Sequence, residues 1–325
     1  MSKISICEVV KEVNKQKGKA NYFPACFNYI LENGRAIIEA NKQQPTKQEF
    51  RRLDSWGLAF INHVKGKAIN VRVNKISFIL NGGGQDFELN FEAFKRRVSY
   101  LNINNDDMDF EIVCNREPVK LYNKQTLFNR PQNEVIRDFI NARGDEDRGC
   151  RLEKDFQAFL YGFGFNKGAA SDEKKDRNND RLAILGEHFF KVKQKEMGVL
   201  REFPTGVFKD KVSKNTRLLP AEFVDIVTLN KWGYLSVIEL KLDDSQLEVI
   251  SQLLDYALFF GCYADKLFKF IKEETTVKPK QKMIYCYVVN NYFHNRFDGV
   301  FKYYSTKKKS YNFKMFKVVL GAIEE

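Results

Sequence analysis

The chain has 325 residues, enough for two domains with separate cores, and 43% of them are hydrophobic, so a packed globule is expected throughout. No apolar run approaches the roughly 20 residues of a membrane span, and the start Met1-Ser-Lys-Ile-Ser-Ile-Cys7 has no signal-peptide core, so a cytoplasmic protein without a membrane partner is expected. Lysine and arginine exceed aspartate and glutamate by 54 to 42, a formal charge of +12 that favours a polyanionic partner.

Cysteines 7, 26, 114, 150, 262 and 286 form no Cys-x-x-Cys pair, which argues against a zinc knuckle and fits reduced thiols. The histidines at 63, 188 and 294 lie too far apart in sequence to suggest a histidine metal site and read as surface or packing residues.

In chain order, residues 4–17 and 23–40 read as helices and residues 68–80 as a strand ending at Asn81-Gly-Gly-Gly84. That glycine run lacks the lysine and helix of a phosphate loop, so it reads as a hairpin turn. A second strand over Asp86–Leu89, a helix over Phe91–Tyr100, a strand over Phe110–Cys114 and a helix over Asn133–Ile140 follow. The polar segment Asn141–Gly149 is the best boundary. It divides an N-terminal mixed α/β domain, 1–146, from a C-terminal domain, 147–325. The first half holds no convergent carboxylates in a strand context and reads as a recognition, regulatory or oligomerisation module.

Beyond the boundary come helices over 151–162 and 181–195, then a strand over Val199–Phe208. Two apolar strands carrying Asp225 and Glu239 are joined by the turn Asn230-Lys-Trp-Gly233. The next helix starts near Asp243-Asp-Ser245, runs through Leu247, Ile250, Leu254 and Leu258, and ends at Gly261. A last apolar strand covers Gln281–Val289. The order is α-β-β-β-α-β, with an α/β fold class.

Side chains alternate along a strand, so Val237, Glu239 and Lys241 share a face, and folding about the turn brings Asp225 within about one residue of Glu239, roughly 5 Å apart. Charged groups in apolar strands are rarely buried unless paired or bound to a metal. Two carboxylates suit Mg²⁺ or Mn²⁺, with Asp225, Glu239 and the Leu240 carbonyl as ligands. Lys241 can orient a water and stabilise charge on phosphorus. Gln252 and Tyr256 share a helix face four residues apart. The same Glu-x-Lys spacing at Glu173-Lys-Lys175 sits in a polar run and reads as a solvated loop.

The loop Lys209-Asp-Lys211-Val-Ser-Lys214-Asn-Thr-Arg217 is the best placed basic element for phosphate contact, through Lys209, Lys211, Lys214 and Arg217. From Gly299 to Ile323, six lysines and six aromatics are interleaved without an acid, which suggests a strand with one solvated face.

Asp225, Glu239-x-Lys241 and Gln252-x-x-x-Tyr256 resemble the PD-(D/E)xK nuclease superfamily, in the branch whose core helix bears Gln-x-x-x-Tyr. Upstream, Leu152-Glu-Lys-Asp-Phe-Gln157-Ala-Phe-Leu160 and Leu182-Ala-Ile-Leu-Gly186 resemble the opening of the Shedu antiviral-defence nucleases. The likeness covers about residues 150–260. It implies a C-terminal nuclease core, a mixed sheet flanked by helices. The implied activity is that of a metal-dependent DNA endonuclease or nickase acting against phage, usually as a homo-oligomer. The implied catalytic centre is Glu153, Asp225, Glu239, Lys241 and Gln252, with Glu187 or Glu202 as alternatives to Glu153. Two features depart from the family pattern. Pro220 lies five residues before Asp225 rather than beside it, and Val207–Pro220 is longer than a minimal hairpin. A nucleic-acid-binding or scaffold protein with an inactive nuclease fold stays open as an alternative, and so does an RNA-directed nuclease, since nothing here reads a 2′-hydroxyl.

Overall fold

The structure, a computed structural model, describes residues 23–67, 72–136, 151–161, 181–190, 200–220, 222–274, 279–305 and 311–321. The helix expected over 4–17, the boundary Asn141–Gly149 and the loop around Glu173 lie outside them. The chain divides into two compact units. One comprises residues 1–129, 245–252 and 294–307; the other comprises 130–244, 253–293 and 308–325.

Among the described residues of the first unit, a hairpin comes first, β1 (Phe27–Glu32) and β2 (Arg35–Ala40), where a helix is expected over 23–40. Asn33 and Gly34 both take positive φ, 48° and 78°, as a two-residue primed turn requires, and this local geometry overrides any helical reading of 23–40. Helix α1 (Lys47–Lys67) leads to β3 (Lys75–Leu80), which is parallel to β2. Helix α2 (Gln85–Asn104) leads to β4 (Asp109–Cys114), parallel to β3, and β5 (Glu117–Pro118) closes the sheet in the order β1-β2-β3-β4-β5. The strand expected over Asp86–Leu89 is therefore the first turn of α2. Phe87 and Phe91, one helical turn apart, stack at 5.6 Å, a spacing that belongs to a helix.

The triple glycine joins β3 to α2 rather than making a hairpin. A Cβ on Gly82 would lie 2.4 Å from the Phe87 ring, so only glycine fits there. Asp86 and Glu88 already place negative charge in the first turn of α2, where a phosphate would have to sit.

The core of this unit includes Ile38, Leu53, Phe60, Phe78, Phe94, Val98 and Ile112. One charged network is sealed inside it. The Arg97 guanidinium donates to the Asp54 carboxylate at 3.0 and 3.2 Å and to the Phe50 carbonyl at 2.8 Å. Ser251 Oγ and Tyr304 Oη donate to Asp54 Oδ2 at 3.0 and 2.8 Å.

In the second unit, β6 (Glu134–Ile136) stands where the helix expected over Asn133–Ile140 should begin, and Asn133 has φ 56°, a turn conformation; residues 137–140 lie outside the described residues. Helix α3 (Arg151–Tyr161) forms as expected. Residues 181–185 and 187–189 are 3₁₀ turns, broken at Gly186, rather than one α-helix. The strand expected over Val199–Phe208 is two strands in different sheets, β7 (Leu200–Pro204) and β8 (Val207–Lys209). With β9 (Arg217–Leu219), strands β6 and β8 form a small antiparallel sheet ordered β6-β8-β9.

The larger sheet contains β10 (Phe223–Leu229), β11 (Tyr234–Leu240), β12 (Lys280–Asn290) and β13 (Phe313–Val319), in the order β13-β12-β11-β10-β7. Strands β7, β10 and β11 are antiparallel neighbours, and β11, β12 and β13 run parallel. Helix α4 (Val249–Glu274) lies between β11 and β12 in the chain, and α5 (Phe297–Tyr304) between β12 and β13.

Helix α4 runs 13 residues beyond Gly261, because Tyr263, Leu267, Phe268 and Ile271 continue its buried face. It also starts after Asp243-Asp-Ser245. Asp243 takes φ 56°, its N–H donates to Asn291 Oδ1 at 2.9 Å, and the Asp244 carbonyl accepts from Asn290 at 2.6 Å. These acids pin the loop to the end of β12 instead of capping the helix. Both large sheets are mixed, and the fold is α/β. Among the described residues, no helix is long and apolar enough to cross a membrane.

Candidate active site

The hairpin β10–β11 pairs Ile226 with Ile238 and Val227 with Val237. One further step in this register sets Asp225 opposite Glu239. At this end of the hairpin the carboxylate of Asp225 takes over from the backbone: its Oδ2 accepts the Leu240 N–H at 2.7 Å. The Lys241 N–H then donates to the Val289 carbonyl at 2.9 Å, so the strand end is fixed from both sides.

Glu239 is 1% exposed, yet its strand neighbours are Val237 and, across on β12, Val288. Burial of a carboxylate in such company is costly without compensation. Lys241 supplies part of it, with Nζ 2.9 Å from Glu239 Oε1. The other oxygen, Glu239 Oε2, is buried with no hydrogen-bond partner. Lys241 Nζ also donates to the Leu240 carbonyl at 3.0 Å and lies 3.5 Å from Glu153 Oε1 on α3.

Three carboxylates thus surround one ammonium. Burial pushes the Asp225 carboxyl well above the usual range and Glu239 beside it adds to the rise, outweighing Lys241 and the Leu240 N–H. Burial also raises Glu153, with Glu239 adding to it and Lys241 opposing. For Lys241, burial disfavours the charge, but Glu239, Asp225 and Glu153 outweigh it and hold the ammonium protonated far above its ordinary value.

Of the residues expected at the site, Glu153, Asp225, Glu239 and Lys241 come together from three elements. Gln252 lies in the first turn of α4, its N–H on the Glu248 carbonyl at 3.1 Å, and falls among the residues of the first unit. Its helix-face neighbour Tyr256 donates to the Phe223 carbonyl at 3.0 Å, which anchors α4 at the start of β10. Glu187 is exposed beside His188, and Glu202 lies 3.7 Å from Arg201, so neither joins the cluster through these contacts.

Two members escaped the sequence reading of the centre. Gln157, 4% exposed and one turn after Glu153, donates to Asp225 O at 3.1 Å and Oδ1 at 3.3 Å. Arg201 on β7 donates to Gln157 Oε1 at 3.0 Å, which fixes the amide orientation. The Glu-x-x-x-Gln spacing on α3 carried the signal for the first; nothing local marked the second.

The donor set fits a hard divalent cation on one count in particular. Glu239 Oε2 is a buried acceptor without a donor, beside a second carboxylate whose ionised form is disfavoured as matters stand. Among the described residues, no group of three or more His, Cys, Asp or Glu is placed to hold a metal ion.

The basic loop is ordered locally. Ser213 Oγ and Thr216 Oγ1 are 2.9 Å apart, and Thr216 Oγ1 donates to the Lys211 carbonyl. Lys209, Lys211 and Lys214 are exposed, whereas Arg217 is half-buried with its Nε unpartnered. No family model matches the chain, and no curated protein matches it in sequence.

Proposed function

We propose that the chain is a divalent-metal-dependent DNA endonuclease or nickase, with the hairpin β10–β11 and helix α3 as its catalytic core. The observation that carries this reading is the buried, half-satisfied Glu239 facing Asp225, with Lys241 and Glu153 against it. The PD-(D/E)xK assignment, a role in phage defence and a homo-oligomeric state rest on the resemblance of the motifs, and belong to the same proposal.

Asp225, Glu239 and the Leu240 carbonyl would hold Mg²⁺ or Mn²⁺, which when bound polarises a phosphoryl oxygen and acidifies a water. Lys241, kept protonated by three carboxylates, acts as a fixed cation toward charge developing on the phosphate and cannot serve as a base. Glu153, raised by burial, is the carboxylate best placed to take a proton from the attacking water. Gln157 locks the Asp225 side chain, so the carboxylate loses no freedom on binding. Lys209, Lys211, Lys214 and Arg217 would contact phosphates.

The test is incubation of the full chain with linear DNA, circular DNA and RNA, in Mg²⁺, Mn²⁺ or chelator. Metal-dependent cleavage of DNA is expected. Asp225→Ala, Glu239→Ala and Lys241→Ala should each lower it by about 100-fold or more, with a double variant little worse than a single one. Calorimetric titration with Mn²⁺ should show weakened binding for Glu239→Ala and intact binding for Lys241→Ala. Near wild-type cleavage by Lys241→Ala, or no cleavage of any substrate, would sink the assignment; nucleic-acid binding without turnover would mark an inactive scaffold.

A further inference from the structure

The face of the larger sheet opposite to Asp225 and Glu239 carries a row of aromatic rings. Register places Ser236 beside Tyr285 and Tyr287 beside Phe316, so Tyr234, Tyr285, Tyr287 and Phe316 share this face. Tyr234 and Tyr285 stack at 5.3 Å, and Phe316 stacks on Tyr285 and on Tyr287 at 5.1 Å in each case. His188 lies edge-on against Phe316 at 4.8 Å, its Nδ1 2.7 Å from Tyr287 Oη. This much is packing, and it covers the sheet.

Trp232 is not explained that way. It is 38% exposed at the tip of the hairpin. Its backbone is nonetheless fixed: Asn230 Oδ1 accepts the N–H groups of Trp232 and Tyr234 at 3.1 and 3.0 Å. The Lys231 N–H donates to the His188 carbonyl at 2.9 Å, and Gly233 takes φ 78°. The indole is backed by His188 at 4.9 Å and Tyr285 at 6.1 Å.

Cations ring it. Lys231 Nζ stands 4.6 Å over the indole and Lys280 Nζ 5.3 Å over Tyr234, and Lys314, exposed on β13, pairs in register with Tyr285. The exposed Glu187 lies beside His188. The turn would close as well with a small polar residue at 232, so a held, exposed indole among lysines is a feature the fold does not require.

We propose that Trp232, with Lys231, Lys280 and Lys314, is a separate binding site for single-stranded nucleic acid, an unpaired base stacking on the indole and the flanking phosphates meeting the lysines. Bases within a duplex are stacked on one another and cannot reach the ring, so single strands are preferred. The site is distinct from the catalytic centre. Glu239 lies five residues from Tyr234, about 17 Å along the strand, and projects from the other face of the sheet.

The chain has two tryptophans, and the other, Trp56, is buried, so a change in indole emission on adding ligand reports Trp232. The full chain is titrated in chelator, where no cleavage is needed, with oligothymidylate, oligouridylate and a blunt DNA duplex. Quenching by both single strands and weaker binding of the duplex are expected. By anisotropy of a labelled oligothymidylate, Trp232→Ala should bind about 5- to 100-fold more weakly, and Trp232→Phe within a few-fold of wild type. Replacing the three lysines by alanine should flatten the slope of log affinity against log salt by about 0.7 per lost contact. Unchanged affinity in Trp232→Ala, or binding without quenching, overturns the proposal. Because no step depends on metal or turnover, a chain that binds through Trp232 but never cleaves would sink the nuclease reading alone.

Discussion

At the scale of single residues, the centre is unbalanced by its own charges: Glu153, Asp225 and Glu239 face one ammonium. A carboxyl whose folded value is raised costs stability progressively as the pH climbs from the unfolded value of about 3.9 through the folded one, so at neutral pH Asp225 subtracts stability. Asp225→Asn is therefore expected to raise the metal-free melting temperature at neutral pH, by about 2–4 °C for each 1 kcal/mol recovered. Added Mn²⁺ should stabilise the wild type by mass action and leave Asp225→Asn nearly unmoved. A metal-free melting temperature that falls in Asp225→Asn would show that the carboxylate's bonds to Leu240 and Gln157 outweigh its crowding. Asp225, Glu239 and Lys241 are legible because strand alternation and hairpin register are local rules, whereas Glu153, on a helix, comes only with the resemblance of its Glu-x-x-x-Gln motif. Arg201 is not legible: its bond to Gln157 joins a strand to a helix 44 residues away, and no sequence pattern encodes that meeting.

At the scale of elements, local turn and cap chemistry decides the outcome as much as long-range packing does. Asn33-Gly34 is a strong hairpin signal, and it lay inside the region assigned to a helix. Helix α1 had no counterpart in the sequence reading although Pro45-Thr46-Lys-Gln-Glu49 announces it. Thr46 and Glu49 form a reciprocal cap, the Thr46 N–H donating to Glu49 Oε2 at 2.7 Å and the Glu49 N–H to Thr46 Oγ1 at 3.3 Å. Thr46→Ala should cost about 1 kcal/mol, read by denaturant unfolding. Burial works against the Glu49 charge, but the Thr46 N–H and Lys42 hold its carboxyl below the ordinary value. Its contribution is therefore present above the unfolded value of about 4.3 and fades as the pH falls through the folded one. Glu49→Gln should be less stable than wild type at pH 7 and indistinguishable from it near pH 2. An equal deficit at both pH values would remove charge from the account of this cap. The end of α4 fails differently: Gly261 is a fair stop signal, overridden by the apolar face that continues behind it.

At the scale of the whole molecule, the division into units is not a single cut. Segments 245–252 and 294–307 belong with residues 1–129, a grouping invisible to composition because it is made by side chains far apart in sequence. Ser251 and Tyr304 both donate to Asp54, and Arg52 Nε lies 2.8 Å from Glu248 Oε1. Tyr100 Oη, in turn, donates to the Tyr304 carbonyl at 2.9 Å. A fragment of residues 147–325 keeps Glu248, Ser251 and Tyr304 but loses Arg52, Asp54 and Tyr100. Groups that are buried and satisfied in the full chain are then left without partners, at about 1–3 kcal/mol for each one that stays buried. Asp54→Ala in the full chain is the milder form of the same injury, expected to cost about 3–5 kcal/mol by stranding the buried Arg97. Expressed alone, the fragment should aggregate or melt without a cooperative transition, and co-expression with residues 1–146 should restore solubility. Sedimentation and a thermal melt of the two preparations decide it: a soluble fragment with one sharp transition and full Mn²⁺ binding would mean that the later segments fold without the first half of the chain.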